Sequence, residues 1–327
     1  MARGLALYRS LERVCPSFRL FVLCMDRECY EILSDFDLAN IELIPLDQLE
    51  KDDLGLLQAK QNRSVIEYYF TCTPSLPLYI FEHYPAVDFI TYLDADLYFF
   101  ANPVQIFDEI GDDSIAITAH RFPPHLKYKE MHGKYNVGWL SFRRDKSGLS
   151  CLKWYRHKCN EWCYDRVEED RYADQKYLDS FPRKFEGVVE LQHKGANLAP
   201  WNIDNYSLTI KEQCIYVDEQ QLIFYHFHDF KRLVRGIYDS SFSDYKAQFT
   251  KLIRQNIYLP YLEEISKINA QIKDRVGKLK IYSVNQGGVV NSFALEKSLA
   301  RISNRYRNIL RICKMLLTRT FILWHEN

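Results

Sequence analysis

Residues 87–103, VDFITYLDADLYFFANP, decide how this chain is read. The segment opens on an apolar run over 87–91, which reads as a buried strand. Two acids spaced by one residue follow, Asp94 and Asp96. In extended backbone, residues two apart point to one side, so the pair can converge on one cation at the strand's carboxyl end. Open α/β sheets place their ligands at that end. Carboxylate oxygens without a nearby thiol cluster suit a hard ion, Mg²⁺ or Mn²⁺. Asp-x-Asp is a cheap pattern, and Asp35-Phe36-Asp37 repeats it as ordinary turn chemistry after a helix. Asp94 and Asp96 differ in position: they follow a strand and precede the aromatic run Tyr98-Phe99-Phe100.

Working outward, residues 4–14 repeat apolar side chains at helical spacing, and 18–24 read as a strand. Asp26 is placed to cap a helix over 27–34, and 41–46 form a second strand. Residues 56–70 read as a helix, which Pro74 and Pro77 break before a further helix ending near Phe81. Downstream we expect a helix over 104–110, a strand over 114–119, a polar loop over 121–134 and a strand over 135–142. A helix over 148–166, a short helix over 174–181 closed by Pro182 and a strand over 187–191 follow. A loop over 193–201 leads to strands over 215–218 and 222–227, read as a hairpin. This alternation predicts an α/β fold: a mixed, mainly parallel sheet with flanking helices. From about Leu233 the pattern turns helical, which divides the chain into a domain over 1–232 and a helical extension over 233–327.

The chain has 327 residues and is 47% apolar, enough for a substantial core. Lys+Arg and Asp+Glu number 43 each, and the resulting zero net charge argues against a general nucleic-acid binder. The nine cysteines contain no CxxC pair, which points to free thiols in a reducing compartment rather than a disulfide framework or a zinc site. Arg3, Arg9 and Arg13 interrupt the N-terminal segment, which lacks the apolar core of a signal peptide. No apolar run approaches the ~18 residues of a membrane span. A cytoplasmic protein is therefore expected. Residues 297–323 carry seven Lys or Arg and no acid, with Ile302, Tyr306, Ile309, Cys313, Leu316 and Leu317 on one helical face. Such a helix either lies on an anionic membrane surface as a peripheral contact or packs on its own domain and presents a basic face.

Other segments could join the acids. His226 and His228, in the run YHFHDFK over 225–231, each offer an imidazole to the same ion. Lys231 would be a point charge for a phosphate oxygen. In Asn136-Val137-Gly138 the carboxamide suits sugar hydroxyls and the glycine allows close approach. Asp174-Gln175 puts a carboxylate and an amide at a helix start, where Asp174 reads equally as an N-cap. The loop Gly195-Ala196-Asn197 is a further candidate. Lys231, Asn136, Gly138, Gly195 and Ala95, which lies between the two acids, are the expected contacts to a bound nucleotide sugar. A hard ion, a lysine and hydroxyl-binding amides, with no Ser-His or Cys-His nucleophile evident, fit the departure of a nucleoside diphosphate.

The order LDAD, NVG, ADQKYLD and HFHDFK resembles the retaining, family-8-like glycosyltransferases of the GT-A fold, within the nucleotide-diphospho-sugar transferase superfamily. The resemblance covers most of residues 1–232. It implies a Rossmann-like GT-A domain in which Asp94, Asp96 and His226 hold Mn²⁺ on a UDP-sugar and Lys231 meets the diphosphate. It implies that Asn136 and the catalytic pair Asp174 and Gln175 contact the donor sugar near its anomeric carbon. The reaction implied is metal-dependent transfer of that sugar to a glycan or lipid-linked acceptor, with retention. Asp229 stands where that family has Gly, and no Pro-Trp follows Lys231, so His226 and His228 both stay in play as the ligand. The family's first strand and nucleotide-binding loop precede the helix that begins here at Gly4, so we expect the chain to be truncated at its N-terminus. The competing readings are a sugar-phosphate nucleotidyltransferase on a similar sheet and a non-catalytic binding protein on the same scaffold.

Overall fold

The computed structural model describes residues 1–285 and 320–323. The expected amphipathic helix over 297–323 lies outside the described residues except at its end. Helix α1 (Ala2–Val14) is buried on more than one side, with Leu5 and Ala6 in one core cluster and Leu7 and Leu11 in another. Strand β1 (Leu20–Cys24) runs parallel to β2 (Ile41–Pro45), with Leu20 opposite Ile41. Helix α2 (Arg27–Asp35) joins them, and the Asp26 side chain accepts from the Cys29 amide as its cap. Two short helices follow, α3 (Leu46–Asp52) and α4 (Leu54–Ala59), the first of them absent from the sequence reading.

Helix α5 (Val65–His83) corrects an expectation, because it runs unbroken through Pro74 and Pro77. A capping box between Ser64 and Glu67 starts it, and both prolines are buried. A proline inside a helix costs about 3 kcal/mol, and here burial of the apolar face offsets that.

Strand β3 (Phe89–Leu93) ends in a turn that leads to β4 (Leu97–Phe99). After α6 (Val104–Ile110) come β5 (Ile115–Ala119), β6 (Tyr135–Arg143), α7 (Lys146–Glu161), α8 (Phe181–Lys184) and β7 (Val188–Glu190). The central sheet has the order β3-β6-β5-β7. Strand β6 is antiparallel to β3 and β5, while β5 and β7 are parallel. The mixed α/β architecture with flanking helices is as expected, with parallel pairing in the minority among the described strands. Strand β3 stands at the edge of its sheet, so every one of its residues is only half-buried, where the apolar run had predicted full burial.

The loop expected over 121–134 contains 3₁₀ turns over Pro124–His132, and the helix expected from Asp174 is 3₁₀ over Gln175–Ser180. Pro182 does not close it, because it occupies the first turn of α8, where a missing N–H costs nothing. Strands β8 (Leu208–Lys211), β9 (Cys214–Val217) and β10 (Gln220–Gln221) form a small antiparallel sheet. The expected hairpin turn forms after Val217, but its returning strand is the short β10, with Leu222 N donating to Ile215 O at 2.8 Å, rather than residues 222–227. Instead β11 (Phe224–His226), buried throughout, pairs antiparallel with β4. A run of consecutive buried side chains needs cover on both faces: Phe224 packs in a cluster with Phe99 and Trp139, and Tyr225 in another with Tyr98 and Tyr258.

Beyond residue 232 the chain is not purely helical. Strands β12 (Lys231–Val234), β13 (Ile237–Asp239) and β14 (Phe321–Leu323) form an antiparallel sheet. Helices α9 (Phe242–Tyr245), α10 (Lys251–Ile253), a π-turn over Arg254–Tyr258 and the long α11 (Leu259–Asn285) follow β13. One core cluster joins Leu5 and Ala6 of α1, Tyr225 and Phe227 beside β4, and Tyr261 and Leu262 of α11. Among the described residues no helix is long and apolar enough to cross a membrane.

Candidate metal centre

Asp94 and Asp96 lie on the turn between β3 and β4, not within an extended strand as their spacing had suggested. The Leu97 amide donates to the Asp94 carbonyl at 3.2 Å, which closes the turn. Two neighbours pin its ends: the Asp94 amide donates to Gly138 O at 3.2 Å, and the Phe227 amide donates to Asp96 O at 2.9 Å. The turn is therefore stitched to β6 on one side and to the end of β11 on the other.

That second stitch delivers the imidazole. His226 Nε2 lies 3.1 Å from Asp96 Oδ1 and 3.8 Å from Asp94 Oδ2. One ligand atom from each of Asp94, Asp96 and His226 falls within 4.8 Å of the others, so this group could hold a metal ion. Two carboxylate oxygens and one imidazole nitrogen form a donor set that suits Mn²⁺ or Mg²⁺. The carboxylates keep 30% and 18% side-chain exposure, which leaves the group open to a ligand, while His226 is 2% exposed. His228 is exposed, lies edge-on to His226 with ring centroids 5.9 Å apart, and is not part of the cluster.

The charges divide the two acids. Burial, the largest cause, and the Asp96 charge push the Asp94 carboxyl up to about 6, against the pull of His226. Burial also pushes Asp96 upward, but the charge and hydrogen bond of His226, with His228 and Arg3, hold it below the usual carboxylate range. Burial would lower the His226 pKa, yet Asp96 and Asp94 raise it above the ordinary value. Arg3 reaches the site from the first turn of α1: one guanidinium nitrogen lies 3.6 Å from Asp96 Oδ2 and another donates to Phe230 O. Tyr92 donates to Asp94 Oδ1 at 3.0 Å.

The Asn136-Val137-Gly138 stretch is the platform of the site. A Cβ on Gly138 would come within 2.8 Å of His226 Nδ1 and 2.7 Å of Asn136 Oδ1, so the close approach at this glycine is made by the imidazole. Asn136 Oδ1 accepts from the Gly138 amide at 3.0 Å, and its Nδ2 reaches His120 Nε2 and Gln175 Oε1 at 3.4 Å each. Gln175 Nε2 donates to His132 O at 3.1 Å. Burial pushes His120 down to about 3, which keeps it neutral, and its Nδ1 lies 3.1 Å from Lys134 O.

Asp174 is 4% exposed and makes no side-chain cap bond to the turn it precedes, which removes the N-cap reading. Its Oδ2 has no hydrogen-bond partner among the described residues. Burial, with a contribution from the Asp94 charge, pushes its pKa up to about 7. Lys231 Nζ is bonded to Asp229 Oδ1 at 2.7 Å. Ala95 is exposed at the tip of the turn. A Cβ on Gly195 would fall 1.9 Å from Gln221 O, so that glycine serves the packing of its loop on the chain before β11. From the same loop, Asn197 reaches the cluster: its Oδ1 lies 3.3 Å from His226 Nδ1. Arg3, Tyr92 and His120 were missed in the sequence. Asn197 was noticed only as a member of a turn, and its one local signal is an asparagine beside a Gly-Ala pair.

Fold and site together define a mixed α/β protein with a carboxylate–imidazole cluster at the turn leaving an edge strand. The chain is 32% identical over 261 residues to the uncharacterized protein YfnD of Bacillus subtilis (strain 168), covering 79% of this chain and 83% of that protein. It is 30% identical over 237 residues to the uncharacterized protein YfnF of the same organism, covering 70% of this chain and 78% of that protein. The chain belongs to the family of YfnD and YfnF. No protein-family profile matches it. Among solved structures it is similar to mouse xyloside xylosyltransferase 1 in its apo form, at 14% identity and a TM-score of 0.43, over 70% of this chain and 92% of that one. It is also similar to the apo WbbM bifunctional glycosyltransferase, at 11% identity and a TM-score of 0.47, over 84% and 49%. The glycosyltransferase GlyE of Streptococcus pneumoniae TIGR4 overlaps at 17% identity and a TM-score of 0.38, over 60% and 43%.

Proposed function

We propose that this chain is a metal-dependent glycosyltransferase of the GT-A type, which moves a sugar from a UDP-sugar to a glycan or lipid-linked acceptor with retention. The observation that carries this reading is the meeting of Asp94 and Asp96, from the β3–β4 turn, with His226, from β11, with ligand atoms within 4.8 Å. In this reading these three side chains hold Mn²⁺ or Mg²⁺. When bound, the ion would supply positive charge to the diphosphate oxygen that departs with the nucleotide. Lys231 exchanges Asp229 for a diphosphate oxygen. Asn136 and Gln175, already linked through their amides, take sugar hydroxyls.

Asp174, with a buried oxygen lacking a partner among the described residues, would lie at the anomeric end and steady positive charge there. The exposed Ala95 lies where the nucleotide passes between the acids. Gly138 and Gly195 provide space: the first for His226, the second for the loop that carries Asn197. Retention needs no protein nucleophile when the acceptor attacks on the face the nucleotide leaves and the departing phosphate takes the acceptor's proton. Residues 297–323, basic and without acids, would bring a lipid-linked acceptor's membrane to the enzyme.

The test is a donor screen that reads UDP release with Mn²⁺, run alongside Asp96→Ala. Loss of turnover in the variant with folding intact is expected. Undiminished turnover in Asp96→Ala would overturn the site, and release of sugar phosphate instead of UDP would point to nucleotidyl transfer.

A further inference from the structure

We propose that Asn197 is the positioning residue for His226: its side-chain oxygen accepts the Nδ1 proton and thereby aims Nε2 at the acids of the turn. The consequence for a cation rests on the function proposed above, whereas the geometry does not. Asn197 is completely buried and His226 is 2% exposed, with Oδ1 and Nδ1 3.3 Å apart. On the opposite side of the ring, Nε2 lies 3.1 Å from Asp96 Oδ1.

The two ring nitrogens have different duties. Without a cation, Nε2 faces the Asp96 carboxylate at 3.1 Å and Nδ1 faces the Asn197 oxygen at 3.3 Å, so each ring nitrogen has an acceptor before it. Beside a cation, Nε2 must offer its lone pair and only the Nδ1 proton remains. Nδ1 is a donor in both states, so its partner must be an acceptor in both. A carboxamide turned the other way would set an NH₂ against an N–H.

The rest of the Asn197 side chain fits this duty. With Oδ1 facing the ring, its Nδ2 is left buried without a partner among the described residues. Leaving such a donor unpaired costs about 1–3 kcal/mol, and an apolar side chain in this place would avoid it. The amide is retained for its oxygen. The surrounding loop is braced to present it. Asn197 has φ +57°, a conformation asparagine tolerates better than most residues. Asn202 Nδ2 donates to Asn197 O and to His120 O, both at 3.0 Å, and Asn202 Oδ1 accepts from the Ala199 amide at 3.0 Å. Gly138 supplies the space for the ring and Trp201 meets it edge-on at 5.1 Å, so Asn197 sets the ring's remaining degree of freedom.

The test compares the full chain with Asn197→Gly, which keeps the backbone conformation and removes the acceptor, and Asn197→Asp, which keeps an acceptor. Two readouts are taken: the Nδ1–H resonance of ¹⁵N-labelled His226 in the metal-free protein, and Mn²⁺ affinity by calorimetry. The parent and Asn197→Asp should show a downfield, slowly exchanging Nδ1–H. Asn197→Gly should lose that signal and bind Mn²⁺ about 10–100-fold more weakly, with Asn197→Asp recovering most of the affinity. An unchanged Nδ1–H signal or unchanged Mn²⁺ affinity in Asn197→Gly would overturn the assignment. A parent protein that binds no Mn²⁺ would sink the proposed function, while the Nδ1–H signal would still decide the role of Asn197.

Discussion

Asp94 and Asp96, spaced by one residue, sit in different electrostatic surroundings, and that difference would make the proposed cation binding pH-dependent. The Asp94 carboxyl, pushed up to about 6 by burial, takes a proton just below neutrality, while Asp96 stays ionised. A proton on Asp94 competes with a cation for the same oxygen. Mn²⁺ affinity should therefore fall as pH drops through about 6, where Asp94 gains its proton and the His226 ring holds one as well, as calorimetric titrations between pH 5 and 8 would show; a flat profile would exclude both as ligands. Asp174 gives the opposite kind of signature, in stability. Its folded-state pKa of about 7 lies above the ordinary 3.8, so the native state holds its proton longer than the unfolded chain does. Stability is lost as pH rises from about 4 through 7, and the loss is complete above that. Asp174→Asn escapes it. That variant should match the parent near pH 4 and exceed it at pH 8 by on the order of 4 kcal/mol, read from denaturant melts at both values, while turnover falls. Equal stability at pH 8 would mean that Asp174 is not desolvated.

At the scale of elements, β6 and α1 hold the site in place. Gly138 of β6 accepts from the Asp94 amide through its carbonyl and leaves room for His226 where its side chain would be. Gly138→Ala should keep the fold, cost about 1–3 kcal/mol through overpacking, and weaken Mn²⁺ binding by displacing the imidazole; an alanine variant with parental affinity would show that the ring is not seated there. Helix α1 reaches β4 through Ser10, which donates to Leu7 O at 2.7 Å and accepts from the Phe99 amide at 3.0 Å, both inside the core. Ser10→Ala leaves that amide unpaired and should cost about 1–3 kcal/mol in equilibrium unfolding. Elements such as α1, α2 and β6 were legible because their apolar spacing or their cap is local. What the sequence misread depended on partners far along the chain. Pro74 and Pro77 look like breakers until the burial of their helix is seen. Residues 222–227 look like half of a hairpin until β4 is seen to be their partner. The acids were found from their position after a strand. The choice of His226 over His228 was not, since which of two alternating rings faces inward depends on the register with β4, where His226 pairs with Leu97.

At the scale of the whole molecule, the region after residue 232 is bound to the first by a shared core. Sequence composition marked a boundary there, but composition does not show which apolar faces meet. Ile253, Ile257, Tyr258, Tyr261, Leu262 and Ile268 are all nearly or fully buried, in one cluster with Leu5, Tyr225 and Phe227. The Tyr261 ring stacks on Phe227 with centroids 3.7 Å apart, and Arg9 of α1 pairs with Glu264 of α11 at 3.0 Å. Phe227 is the residue whose amide holds Asp96 O, so the packing of α11 lies directly behind the candidate metal centre. Each large apolar side chain removed from such a core costs about 2–5 kcal/mol, against a total stability of about 5–15 kcal/mol for a domain. A chain ending at residue 250 loses all six at once and should not fold, giving no cooperative transition and aggregating on expression. Tyr261→Ala is the milder test: it should lower the melting temperature and loosen the turn that carries Asp96, so that Mn²⁺ affinity falls with stability. A chain ending at residue 250 that melted cooperatively and bound Mn²⁺ as the parent does would show that α11 and its core are not needed for the fold or the site.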